Sequence, residues 1–530
     1  VQYRYVSVIL FGGLLTFCFN LSASAEVAYE AWVKIYNGPG NGTDRAQALA
    51  IDSSGNIYVT GQSWGGSSSE DYVTIKYSPV GETLWVKLYN GPGDSTDIAS
   101  DLELDTSGNI YVTGRSWGGS GNFDYATVKY APNGETLWVR RYNGPSDSTD
   151  VATAIDVDDS GNVYVTGYSW GAGTTEDYLT IKYSSQGDTV WVRQYAGAGT
   201  SSDLAVDVEV HQSGNVYVTG NSLSAYTTIK YTPAGDTEWV RRFEEGNYAV
   251  DLSVDKDGNV AITGNAGGID YGTILYSATG ESLWAKTYNF FSSIDEPSSV
   301  GFDTSGNVFV TGYSVGFTFA DYATIKYTPA GDTSWVRRYD GPEDGFDDWD
   351  AARAMKTDQA GNCYVTGISD SAGAVVDPLT IKYSPDGDQL WVQRYMSPDN
   401  SPASAASIDV DESGNVYLTG IQGSSVLAMN NILTIKYSIC PPGTPAAGDA
   451  NADSSLTLAD AISTVNYIFN KPGCSPQPLC WLSNLLCRGD WDGSGSVSLS
   501  DVIRAVNYVF NKPGGPWNAV QRQGCCGLPS

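Results

Sequence analysis

The chain has 530 residues, with 60 acidic against 29 basic side chains and a formal net charge of −31. Such a surface repels nucleic acid and anionic membrane faces, which excludes both as partners, while it favours cations and solubility. The only histidine, His211, rules out His-dependent triads and His-ligated metal centres.

At the start of the chain, Arg4 precedes an apolar run from Val6 to Leu21 and the small residues Ala23-Ser24-Ala25. Residues 1–25 therefore read as a secretory signal peptide cleaved before Glu26, and the expected location is secreted or cell-surface. The run is short for a membrane span, and no other long apolar stretch exists. Cys18 follows Phe17, which is too bulky for a lipoprotein cleavage site.

From Trp32 onward the sequence repeats. A lone strand signal, "AWVKIYNG", comes first, and then units of the form "AQALAID", "IYVTG", "DYVTIKY" and "TLWVKLY". These runs are rich in Val, Ile, Tyr, Thr and Trp, and Gly, Asn, Asp and Pro punctuate them. The S-G-N turn glycine recurs at Gly55, Gly108, Gly161, Gly214, Gly258, Gly306, Gly361 and Gly414, spaced 53, 53, 53, 44, 48, 55 and 53 residues apart. Four strands in a unit of that length suit a propeller blade. The series closes at Tyr437 without a fourth strand, so Trp32 to Gly38 is expected to complete the last blade. The predicted fold of residues 26–439 is all-β, an eight-bladed β-propeller of four-stranded blades with its N-terminal strand closing the ring.

"SGNIYVTG" followed by "DYVTIKYSPxGxxLW" resembles the bacterial SBBP-type β-propeller repeat across roughly residues 31–439. The resemblance implies the fold and brings no activity with it.

Residues present in nearly every unit read as fold requirements, because an active site occurs once. The aspartate opening the S-G-N turn (Asp52, Asp105, Asp158, Asp255, Asp303, Asp358, Asp411) is one, with His211 in its place in the fourth unit. The lysine of T-I-K-Y, replaced once by Leu275, is another. No catalytic residue is assigned, although a glycosidase carboxylate pair among 60 acids stays open. The loop after "YVTG" does vary. It carries Trp64, Trp117 and Trp170 in the first three units, with Leu223, Ala266, Val315 and Asp370 read as equivalents elsewhere. The three indoles either form a stacking platform for a glycan or peptide, or cap the core between blades.

Residues 440–448 read as a Pro/Gly linker. After it, "GDANADSSLTLADAISTVNYIFNKPG" and "GDWDGSGSVSLSDVIRAVNYVFNKPG" repeat one loop-helix unit. A hard cation such as Ca²⁺ takes six or more oxygens from a tight loop, so acids and amides fall at alternate positions. The first set of candidate ligands is Asp449, Asn451, Asp453, Ser455 through its carbonyl, Thr457 and Asp460. The second is Asp490, Asp492, Ser494, Ser496 through its carbonyl, Ser498 and Asp501. Each loop leads into an amphipathic helix stopped by Lys-Pro-Gly.

Residues 449–514 closely resemble a type I dockerin, a small α-helical Ca²⁺-binding domain. Ser454 stands where the first loop would have its turn glycine, which Gly495 keeps in the second. Dockerins hold cohesin proteins, and the matching positions here are Leu458, Ala459, Asn466 and Tyr467, with Leu499, Ser500, Asn507 and Tyr508 in the second copy. The resemblance implies one or two Ca²⁺ ions and a cohesin-like or cell-surface scaffold partner. Cys440, Cys474, Cys480, Cys487, Cys525 and Cys526 flank the two halves, the last two in a tail of residues 515–530. An even set in an exported domain reads as disulfides, with zinc as the alternative. Cys363 replaces the Ile or Val of other repeats and reads as buried.

The expectation is an exported, non-catalytic binding or structural propeller tethered through a calcium-dependent dockerin-like module. The alternative is a carbohydrate-binding or polysaccharide-degrading component of an extracellular complex.

Overall fold

The computed structural model describes residues 6–10, 13–17 and 26–440, apart from 67–68, 120, 172–174, 199–200, 291–292, 317–318, 342–348, 372–374 and 424–428. Every regular element among them is a β-strand. Val6–Leu10 and Gly13–Phe17 form an antiparallel hairpin inside the apolar run expected to be a signal peptide. Cys440, read as the first linker residue, ends a strand, and the rest of the linker, the dockerin-like repeats and the tail lie outside the described residues.

The larger compact unit, Glu30–Ser438, is a ring of eight four-stranded antiparallel sheets. In blade one the strands run Arg45–Ile51, Ile57–Trp64, Glu70–Tyr77 and Thr83–Tyr89, hydrogen-bonded in that order. The innermost strands of the other blades are Asp97–Leu104, Asp150–Val157, Asp203–Val210, Gly246–Val254, Asp295–Phe302, Ala351–Thr357 and Ala403–Val410. Each packs against the innermost strand of the next blade, and the last packs against the first. Second and third strands are buried on both faces, which is why they read as unbroken runs such as "IYVTG" rather than as alternating patterns.

The ring closes as expected from the phase of the repeats. Blade eight takes its outer strand, Val27–Tyr36, from the other end of the chain, where it pairs with Asn430–Cys440. Trp32 and Tyr36 join Tyr417 and Ile432 in packing on Ala46, Leu49, Ile57 and Val59 of blade one.

A polar joint repeats beside these apolar clusters. Lys76 Nζ and Trp85 Nε1 both donate to the Pro132 carbonyl of the next blade, each at 3.1 Å. Lys129 and Trp138 do the same to Ser185, and Lys326 and Trp335 to Pro385. Across the closure Lys436 and Trp32 meet on Pro79, at 3.1 and 3.2 Å. Each lysine also lies over an aromatic ring, as Lys76 does 4.8 Å above Tyr58. Burial lowers the Lys76, Lys129, Lys182 and Lys436 pKa values. The repeated lysine is thus spent on holding blades together.

The turn aspartate is equally structural. Asp52 Oδ1 accepts from the Ser54 and Asn56 amides, and Oδ2 from the Asn56 side chain and the Tyr58 hydroxyl. Gly55 and its counterparts hold φ near +80°, a conformation that strains any residue with a Cβ. His211, in the aspartate's place, bonds Ser213 Oγ and the Lys256 carbonyl. Cys363 is a buried free thiol.

Candidate functional site

Innermost strands are sheet edges, so their axis-facing N–H groups need partners from elsewhere. In blades three to six those partners are carboxylates of the preceding blade. Asp101 accepts from Ile155 N of the next blade at 3.0 Å, Asp156 from Val210 N at 2.6 Å, and Asp251 from Val300 N at 2.7 Å. Asp207 and Glu209 accept from Leu252 N and Val254 N at 3.0 and 2.8 Å.

Pairing register sorts the channel side chains into two layers. Asp101, Asp207 and Asp251 stand opposite the second-strand threonines Thr113, Thr219 and Thr263. Two residues on, Glu103, Asp156, Glu209, Lys356 and Asp409 stand opposite Tyr111, Tyr164, Tyr217, Tyr364 and Tyr417. Lys356 Nζ lies 3.5 Å from Asp409 Oδ1, and its side chain remains 54 % exposed to the channel water. A cavity of roughly 450 Å³ opens beside it, lined in part by Glu103, Asp105 and Asp409.

Desolvation and mutual repulsion hold protons in this wall. Burial pushes Asp101 up to about 7 and Glu209 up to about 8, with nearby carboxylates adding to both. Asp207 is held well above the carboxylate range by burial and by Asp251, with which it shares a hydrogen bond. Asp409 in turn raises Lys356, reinforced by Glu103 and Glu209. Among the described residues, no three His, Cys, Asp or Glu side chains converge as a metal site. The acids are spread over different blades.

The opposite ends of the inner strands meet the longer connections between strands. There Asp44 ties two connections together, accepting from Gly38 N at 2.7 Å, Ser63 Oγ at 2.6 Å and Trp64 N at 3.1 Å. Buried Asp97, Asp150, Asp203, Asp295 and Asp350 take the same place in five further blades, each accepting a loop amide. The sequence reading did not single out this clamp, although D-x-A opening an inner strand recurs and could have revealed it.

Trp64, Trp117 and Trp170 occupy one register position on three adjacent blades, all half-buried. Gly40 and Gly42 lie so close to the Trp64 indole that a Cβ on either would collide with it, and Gly93 abuts Trp117 in the same way. Trp117 also meets Phe123 edge to face. Register corrects one equivalence. Counting three residues past the paired glycine, Gly264, the fifth blade places Gly267 at this position, not Ala266, because its hairpin is shorter.

Every candidate Ca²⁺ ligand and partner-binding residue between 449 and 508 lies outside the described residues, as do Cys474, Cys480, Cys487, Cys525 and Cys526. No helix among the described residues is long and apolar enough to cross a membrane.

A family model described as a β-propeller repeat, SBBP, matches residues 31–67, 84–122, 137–173 and 290–316. The chain carries SBBP β-propeller repeats. No curated protein matches the sequence. Among solved structures, a streptogramin B lyase is 12 % identical with TM-score 0.41, covering 77 % of this chain and 98 % of its own. The Neurospora crassa Pan2 WD40 domain is 10 % identical with TM-score 0.41, covering 78 % and 95 %. The polysaccharide lyase Uly1 is 8 % identical with TM-score 0.39, covering 74 % and 89 %.

Proposed function

We propose that this chain is an exported, non-catalytic binding or structural propeller, attached to a cohesin-like partner or cell-surface scaffold through its Ca²⁺-dependent dockerin-like repeats. One observation supports the non-catalytic part above others. The polar residues that recur from blade to blade, Asp52, Lys76, Trp85 and Asp44 with their counterparts, are engaged in turns, clamps and inter-blade joints. What supports the tether is the duplicated acidic loop with oxygen donors at alternate positions, each followed by a helix that stops at Lys-Pro-Gly.

A second reading, polysaccharide cleavage, is favoured by the hydrogen-bonded carboxyl pair of Asp207 and Asp251 in the channel wall. Both carboxylates also accept backbone amides of a neighbouring blade, which gives them a structural task.

Calorimetric titration of the full chain with Ca²⁺ tests the tether. One or two sites are expected, and the double variant Asp449→Ala, Asp460→Ala should remove the first loop's site and leave the second. No heat of Ca²⁺ binding, in oxidised or reduced protein, would remove the tether. Hydrolysis of a polysaccharide panel that is lost in Asp251→Asn would overturn the non-catalytic reading.

A further inference from the structure

Blades four and five differ from the rest. Their turn glycines, Gly214, Gly258 and Gly306, are separated by only 44 and 48 residues. In blade four the Trp-bearing loop shrinks to the two-residue turn Leu223-Ser224, both left-handed at φ 50° and 56°. In blade five Gly267 and Gly268 replace it. At this end of the two blades apolar side chains are left exposed. Tyr248 is 61 % exposed, and Leu223, Val250, Ile269 and Ile294 are between 38 and 45 % exposed.

These residues form one surface. Ala249 N donates to Asn221 Oδ1 at 2.6 Å, tying the inner strand of blade five to blade four beside Leu223. Asp295 N donates to the Ile269 carbonyl at 2.6 Å, which brings Ile294 alongside. Contiguous exposed apolar groups of this kind mark interaction sites. Tyr248 and Val250 belong to the same inner strand as Asp251, so the apolar rim runs directly into the acid-lined channel. Exposed Glu244, Glu245 and Glu296 surround it, and the nearby cation Arg242 is already ion-paired with Glu244. Arg45 belongs to blade one, and Arg353 of blade seven reaches only the far border of the surface, where it acts on Tyr313 beside Glu296.

We propose that this sector of blades four to six docks an extended peptide segment of a partner protein, in which apolar side chains alternate with lysine or arginine. Branched aliphatic groups around a single tyrosine suit apolar side chains better than the flat faces of sugars. The exposed carboxylates beside the rim supply the complementary charge. The proposal stands independently of the Ca²⁺-dependent tether.

The test uses full-length protein and a fluorescent octapeptide of alternating Leu and Lys, with Ser-Lys and Leu-Asp octapeptides for comparison. Saturable binding of the Leu-Lys probe is expected, at least tenfold tighter than either control. Tyr248→Ser with Ile269→Ser should weaken it at least tenfold, and Glu245→Gln, at an exposed side chain, about threefold. Trp64→Ala should leave it unchanged. Equal affinity for the Ser-Lys probe, or undiminished binding by a folded Tyr248→Ser, Ile269→Ser variant, would overturn the proposal. So would a dimer that the same variant converts to monomer, because the face would then be a contact between copies, and so would a glycan that binds there in place of the peptide.

Discussion

At the scale of single residues, the channel carboxylates and the turn aspartate Asp105 respond to acid in opposite directions. Asp101 and Glu209 titrate far above their unfolded values of about 4, so between roughly pH 4 and pH 8 the native ring binds more protons than the unfolded chain. Their contribution to stability is greatest at the acidic end of that window and is lost as pH rises through it. Asp105, whose pKa falls below the usual value because Asn109, Tyr111 and Ser107 hydrogen-bond its ionised form, does the reverse and loses stability below about pH 4. Melting temperature should therefore decline from pH 5 to pH 8, and Asp101→Asn with Glu209→Gln should flatten the slope. A melting temperature that rises over the same range in native protein would contradict the assignment. The tryptophans act at this scale too. Because Trp64 and Trp117 rest on loop glycines and all three indoles are half-buried at one register position, each Trp→Ala change should cost about 1–2 kcal/mol, less than a fully buried indole. Denaturant titration reads that loss. Unchanged stability with loss of binding to a glycan panel would favour the stacking platform over the core-capping role. The turn aspartates and lysines were legible because they repeat, whereas the channel acids were not. Asp101, Asp156, Asp207 and Asp251 vary between blades, and their signal is only an acid at inward positions of an inner strand. Which positions face the axis depends on a bulge after the paired alanine, and that register is visible only in the folded sheet.

At the scale of elements, the strand Val27–Tyr36 carries the closure, and its role was readable from the phase of the repeats. Its removal leaves the Asn430–Cys440 edge unpaired and takes Trp32 out of the cluster on blade one. Deleting residues 26–38 should lower the melting temperature of the whole ring, and an unchanged value would argue that the closure adds no stability. Lys436→Met is the finer probe. It removes one of two donors on the Pro79 carbonyl and should cost about 1–3 kcal/mol in a denaturant titration. The same change at Lys129, which bonds Ser185 at an ordinary interface, should cost a similar amount. A much larger loss at Lys436 would mean that closure is the weak point of the fold.

At the scale of the whole molecule, strand content and blade count were legible because eight copies average out local ambiguity, and a single copy would not have fixed either. The sector of blades four to six was hidden for the opposite reason. Its surface comes from loops that are missing, and Tyr248, Ile269 and Ile294 lie far enough apart in sequence that only the ring gathers them. The joint on each C-terminal neighbour has a genetic consequence. Every unit contains both halves of it, the Trp that reaches forward, joined by Lys except in the fifth unit with its Leu275, and the turn carbonyl that receives from behind. A gene segment of one period copied in tandem would therefore arrive with its couplings already matched at both borders, wherever it was inserted. Such a ring can gain or shed a blade by recombination without any compensating mutation at the seams. Its size is then limited by how far eight inner strands can open or tighten around their axis, and single blades remain free to shorten their loops and acquire a surface of their own.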